Sequence, residues 1–149
     1  MRYPQLIVHD SDGWVARQLV ELAGESRWLL REPKTLDAVL KFVGDVRPTV
    51  LFLRIDPAAD KHTDLALLAE LHRLSPDAAV VAVSDVKLPD ADRIAWTSVL
   101  FDLGARYVLF PPLSKPILED LASGLMATAV RKLVGTESPI DLATEEPHE

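Results

Sequence analysis

Four short polar clusters hold most of the residues in this chain that could do chemistry. His9, Asp10 and Asp12 follow the apolar run Leu6-Ile7-Val8, and Arg54, Asp56 and Asp60 follow Val50-Leu51-Phe52-Leu53. Ser84 and Asp85 follow Val80-Val81-Ala82-Val83, and Pro111-Pro112 follow Tyr107-Val108-Leu109-Phe110. Carboxylates converging from several such clusters beside a hydroxyl are hard oxygen donors, suited to Mg²⁺ or to the surroundings of a phosphoryl group. Asp10, Asp12 and Asp56 are the weak candidates for such ligands. Aspartates also gather in loops because they stabilise turns, and on spacing alone that is the simpler reading. His9 could be a pH-sensitive member of the site, but a hydrogen-bonded structural role suits a lone histidine better. His62 and His72 lie ten apart, which is no metal-ligand spacing.

The elements that must position these clusters alternate along the chain. Each apolar run reads as a buried strand, and each is followed by a helical period. The first helix begins at Trp14, carries Val15, Leu19 and Leu22, and is expected to stop at Gly24. Trp28-Leu29-Leu30 forms a weaker strand, after which Thr35 caps a helix with Leu36, Val39, Leu40 and Val43, closed by Gly44. Thr63 is expected to cap a third helix, with Leu67, Leu68, Leu71 and Leu74, ended by Pro76. Ile94, Ala95, Val99 and Leu103 mark a fourth, stopped by Gly104, and Leu118, Leu121, Leu125 and Val130 a fifth, from about Ser114 to Leu133. Five strand–helix units predict an α/β fold, a doubly wound parallel five-stranded sheet of flavodoxin-like type. In such sheets, functional groups collect beyond the carboxyl ends of the strands, where all four clusters fall.

The chain has 149 residues, enough for one domain with its own core, and no cysteine, which excludes disulfides, thiolate zinc sites and cysteine nucleophiles. The sequence pI is about 5.0, which argues against nucleic acid or an anionic membrane as main partner. Of the net charge of −7, five units come from Glu137, Asp141, Glu145, Glu146 and Glu149. Residues 1–135 are expected to form the domain and residues 136–149 an acidic, disordered tail. No signal-peptide or membrane-length apolar run occurs, so a cytoplasmic location is expected.

The layout over about residues 3–133 resembles the receiver domain of bacterial two-component response regulators. Leu6-Ile7-Val8-His9-Asp10 stands where that family has an apolar strand followed by two acids. Arg47-Pro48-Thr49 leading into Val50–Leu53 is similar to the family's Pro-Asp-led third strand. Val80–Val83 with Ser84 matches a strand ending in Thr or Ser, and Gly104-Ala105 with Pro112 resembles the Gly-Ala…Lys-Pro signature. The resemblance implies a phosphorylatable signalling domain, and the departures from it imply a degenerate one. Arg54 falls on the phosphoacceptor aspartate, Pro111 on the lysine, Val108 on the switch aromatic and His9 on the first acid. An arginine stays protonated and cannot form an acyl phosphate.

Arg54 then has two readings: an internal ion pair with Asp10, Asp12 and Asp56 where Mg²⁺ would otherwise bind, or a solvated loop residue. Asp56, two residues on and of the same strand parity, is the alternative acceptor, with Mg²⁺ as its cofactor. Without it no cofactor is expected. In the family, the face of the fourth helix, fifth strand and fifth helix serves partners or dimers. Trp96, two residues after Ile94, is expected off the buried stripe and so is either an interface anchor there, beside Val108, or a half-buried packing residue. The expected function is a non-enzymatic protein-interaction module in signal transduction, with a signalling protein or a second copy as partner. A flavodoxin-like enzyme or nucleotide-binding protein is the alternative from another class. It lacks support in His9–Trp14, where two aspartates and one glycine would repel phosphate rather than cradle it.

Overall fold

A computed structural model describes residues 2–59 and 62–137. The strands are β1 (Gln5–His9), β2 (Leu29–Arg31), β3 (Thr49–Arg54), β4 (Ala79–Val83) and β5 (Tyr107–Leu109). The helices between and after them are α1 (Trp14–Ser26), α2 (Leu36–Val43), α3 (Thr63–Leu74), α4 (Asp90–Asp102) and α5 (Lys115–Glu137). All strands are parallel in the order β2-β1-β3-β4-β5, so the expected α/β class and sheet are observed.

Strand parity divides the core in two. Leu6, Val8, Val50, Phe52, Val81 and Val83 point to one face, where Leu19 of α1 and Leu118 and Met126 of α5 cover them. Ile7, Leu51, Leu53, Val80 and Ala82 point to the other, against Val39 of α2, Leu68 and Leu71 of α3 and Leu100 of α4. The central strands are therefore apolar at successive positions because both faces are buried.

Five local expectations change. Gly24 lies inside α1, and the helix ends after Ser26 in a Schellman motif with Arg27 left-handed at φ 61°. There the Arg27 N–H reaches the Gly24 carbonyl and the Trp28 N–H the Ala23 carbonyl at 2.9 Å. Trp28 is spent on that closure and on packing, so β2 starts one residue later than expected. Thr63 is the first helical residue of α3 rather than its cap, a place held by His62 without a side-chain bond. The stripe of α4 is also turned: Ile94 and Val99 are exposed, while Leu100 is buried and Trp96 and Leu103 pack partly against the core. Trp96, Leu100 and Leu103 follow an i, i+4, i+7 series as regular as the one expected, and the large indole won the inward face. Gly104 needs its glycine, since φ is +114° and a Cβ would lie 2.6 Å from the His72 side chain. α5 continues to Glu137, beyond the end expected near Leu133; residues 138–149, the rest of the expected acidic tail, lie outside the described residues. Among the described residues no helix is long and apolar enough to cross a membrane.

Candidate functional site

β1 and β3 are paired in register with His9 opposite Leu53, and β3 and β4 with Arg54 opposite Val83. Residues just past β1 and β4 are thereby brought to either side of Arg54. Asp10 is buried on the β1 side: its Oδ2 accepts the Val15 N–H at 2.9 Å, and its Oδ1 accepts the Asp12 N–H at 3.4 Å. Gly13, at φ +75°, turns the chain there into α1, and Asp12 Oδ1 accepts the Trp14 N–H at 2.9 Å. The carboxylates of Asp10 and Asp12 are thus set by backbone donors at the start of a helix, where negative charge is favoured.

Arg54 lies among three carboxylates. Its Nη1 donates to Asp10 Oδ1 at 2.6 Å and to Asp12 Oδ1 at 3.3 Å, and its Nη2 donates to Asp85. The Arg54 side chain is 14% exposed and that of Asp10 3%, whereas those of Asp12 and Asp85 are more than half exposed. Partial burial opposes the guanidinium charge, but the Asp85 hydrogen bond and the fields of Asp10, Asp85 and Asp12 outweigh it and raise the pKa. The Asp12 pKa is lowered, first by the Trp14 N–H and then by Arg54. Around this cluster Asp12, Trp14, Val15, Arg54, Val83, Asp85, Pro111 and Leu113 line an open cavity of about 330 Å³.

The remaining sequence candidates are spread around this centre. Asp56 is not among the Arg54 partners; it is exposed, and its Oδ1 accepts the Ala58 N–H at 3.0 Å in a local turn. The reason is the path of the chain after β3: Ile55 is buried and its N–H still bonds to the Val83 carbonyl, after which the chain turns, the Ala59 N–H bonding back to the Asp56 carbonyl. Burial raises the pKa of Asp64. Asp60 lies outside the described residues. The Ser84 hydroxyl is buried and accepts the Val86 N–H at 3.0 Å, so it serves its own loop rather than the cavity. His9 Nδ1 donates to the Pro33 carbonyl at 3.0 Å, the structural arrangement. Pro111 forms part of the cavity wall. Trp96 is half-buried and meets His62 edge-on with ring centroids 5.5 Å apart; Val108 packs partly against the same core, while Tyr107 faces outward.

Asp85 is the partner that sequence reading left out of the ion cluster. The signal was present: β4 neighbours β3 in a parallel sheet, and Asp85 comes two residues after the end of β4. What was missing was the register that sets Arg54 beside it.

The pocket does not fit Mg²⁺ with Arg54 in place. Both oxygens of Asp10 are engaged, Asp12 Oδ1 is shared by Trp14 and Arg54, and the third expected ligand, Asp56, points elsewhere. Among the described residues no group of three or more His, Cys, Asp or Glu side chains is placed to hold a metal ion together.

No protein-family model and no curated protein matches this sequence. Solved structures do. NtrX from Brucella abortus matches with a TM-score of 0.67 and 23% identity over 92% of this chain, which spans 29% of the NtrX chain. A CheY-like response regulator receiver domain protein from Methanospirillum hungatei JF-1 matches with a TM-score of 0.65 and 14% identity, over 89% of this chain and 99% of that one. A two-component response regulator from Clostridium difficile gives a TM-score of 0.62 and 16% identity, over 85% and 97% of the two chains. Strand order, helix placement and these likenesses agree: the chain has the fold of a response-regulator receiver domain.

Proposed function

We propose that this chain is a receiver-like signalling domain that has given up phosphoryl transfer and works in the cytoplasm as a protein-interaction module, without enzymatic chemistry. One observation carries the reading: the Arg54 guanidinium, at the end of β3, is held by Asp10, Asp12 and Asp85. A fixed cation there supplies permanently the positive charge that would otherwise come and go with a ligand. A two-state element needs such a change in bias to switch. The interaction face is that of α4, β5 and α5, where Ile94 (61% exposed), Phe101 and Tyr107 stand open to solvent. The partner is a signalling protein or a second copy of the chain.

The test is incubation of the full chain with a small phosphodonor and Mg²⁺, read by intact mass, beside Asp56→Asn as control. No mass gain is expected. A labile gain of one phosphoryl group in the native chain, abolished in Asp56→Asn, would establish Asp56 as an acceptor and overturn the proposal.

A further inference from the structure

α4 is held less firmly than the helices around it. Of its thirteen residues only Leu100 is buried, whereas α1 buries Val15, Ala16, Leu19 and Ala23, and α3 buries Leu67, Leu68 and Leu71. Trp96 and Leu103 pack partly against the core, and Ile94, Val99 and Phe101 stand open to water. Local opening costs least where buried apolar contact is smallest, so this helix is the one whose seat is easiest to leave.

Its two ends are held in different ways. At the carboxyl end the Gly104 and Ala105 N–H groups bond back to the Phe101 and Leu100 carbonyls at 3.0 Å, and the Arg106 N–H bonds to the Val80 carbonyl of β4 at 2.7 Å. Gly104 also passes so close to His72 of α3 that a Cβ would not fit, which leaves that end no room to slide. At the amino end the chain arrives from β4 through residues 84–89. The cap residue Pro89 makes no side-chain bond, and the Ser84 hydroxyl turns back on Val86. Among the described residues, this loop has one side-chain hydrogen bond to another element: Asp85 accepts from Arg54 Nη2. One further contact holds the first half of the helix, the edge-on meeting of Trp96 with His62 at the cap of α3.

We propose that the first half of α4 is a hinged element, pinned at Leu100–Ala105 and latched shut by the Arg54–Asp85 pair and the His62–Trp96 contact. Opening carries the start of the helix and Ile94 away from the sheet end and breaks both contacts together. Arg54 thus has a second duty besides neutralising Asp10: it ties down the loop that leads into α4. The consequence for binding rests on the reading of α4 as part of the interaction face. A partner that prefers the open helix works against the Arg54–Asp85 pair, and by linkage the pair works against that partner.

Amide hydrogen exchange of the full chain, followed residue by residue, is the test. In the native chain the amides of residues 93–97 should exchange at least tenfold faster than those of 18–22 in α1, after correction for intrinsic rates. Asp85→Asn should speed 93–97 further by roughly two- to fivefold, the worth of a half-exposed pair that every opening breaks. His62→Ala, which removes no cap bond, should also speed them. Lys115→Gln deletes the pair with Glu21 that joins α5 to α1 and stays in place when α4 opens, so it should leave 93–97 unchanged. Exchange of 93–97 as slow as that of 18–22 overturns the proposal. So does acceleration in Lys115→Gln equal to that in Asp85→Asn, because α4 would then open only with the whole fold. Absence of the effect in Asp85→Asn or in His62→Ala overturns it too, since that contact would survive the opening. None of these outcomes bears on the phosphodonor test, so the hinge and the loss of phosphoryl transfer stand or fall separately.

Discussion

Two arginines bracket β3, and their surroundings differ. Arg54, at its carboxyl end, meets carboxylates from two neighbouring loops. Arg47, two residues before its start, has one backbone acceptor, Asp45 at 3.7 Å, and an Nε with no acceptor among the described residues. Both side chains are largely withdrawn from water. The first is a completed site, whose acids leave no room for a ligand of the same sign. The second leaves a donor unmet. A cation at the end of a strand is therefore no signature of function in itself. What distinguishes the two is how many opposite charges the fold has brought to each.

The same substitution at both ends measures that difference. Arg54→Met leaves three carboxylates facing one another and strips the buried Asp10 of its counter-charge; it should cost about 3–5 kcal/mol in urea unfolding. Arg47→Met should stay within about 1 kcal/mol of the parent, because Asp45 keeps Arg31 at 3.1 Å and an aliphatic chain fills the space of the stem. Equal losses at the two positions would break the comparison.

Removing the fixed cation should also change what the pocket binds. Arg54→Met is expected to gain thermal stability with millimolar Mg²⁺ or Mn²⁺, whereas the native chain should show no shift. A shift in the native chain as large as in the variant would show that Arg54 does not hold the cation's place.

A smaller effect is expected from pH. The Asp12 pKa is depressed in the folded chain by the Trp14 N–H first and Arg54 second, so its contribution is complete above the unfolded value of about 3.9. It is lost as pH falls through the lower folded value. Unfolding followed from pH 6 to pH 2 should show this fall, and Asp12→Asn should reduce it. Smallest of all, Asp85→Asn removes a half-exposed pair and should cost no more than about 1 kcal/mol, less in 1 M salt.

Much of this molecule is legible in its sequence for reasons that are local. Strands apolar at successive positions demanded burial on both faces, and alternation with helical periods demanded parallel pairing, so the sheet came from pattern. The positions of His9, Asp10, Arg54, Ser84 and Pro111 at or past strand ends came from the same arithmetic. The failures arose where neighbouring patterns compete: Gly24 lost to a closure a few residues later, and Ile94 and Val99 lost the inward face of α4 to Trp96 and Leu100. Single-residue periodicity carries no measure of which stripe packs better.

The sequence by itself determined that an arginine follows the apolar run of β3, and an arginine cannot form an acyl phosphate because its side chain has no carboxylate. Only the tertiary structure decided that this arginine points inward, that Asp85 rather than Asp56 completes its cluster, and that Ser84 serves its own loop. These are matters of strand register and chain direction past the last bonded residue. Register is set by the packing of both sheet faces at once, which no stretch of sequence contains.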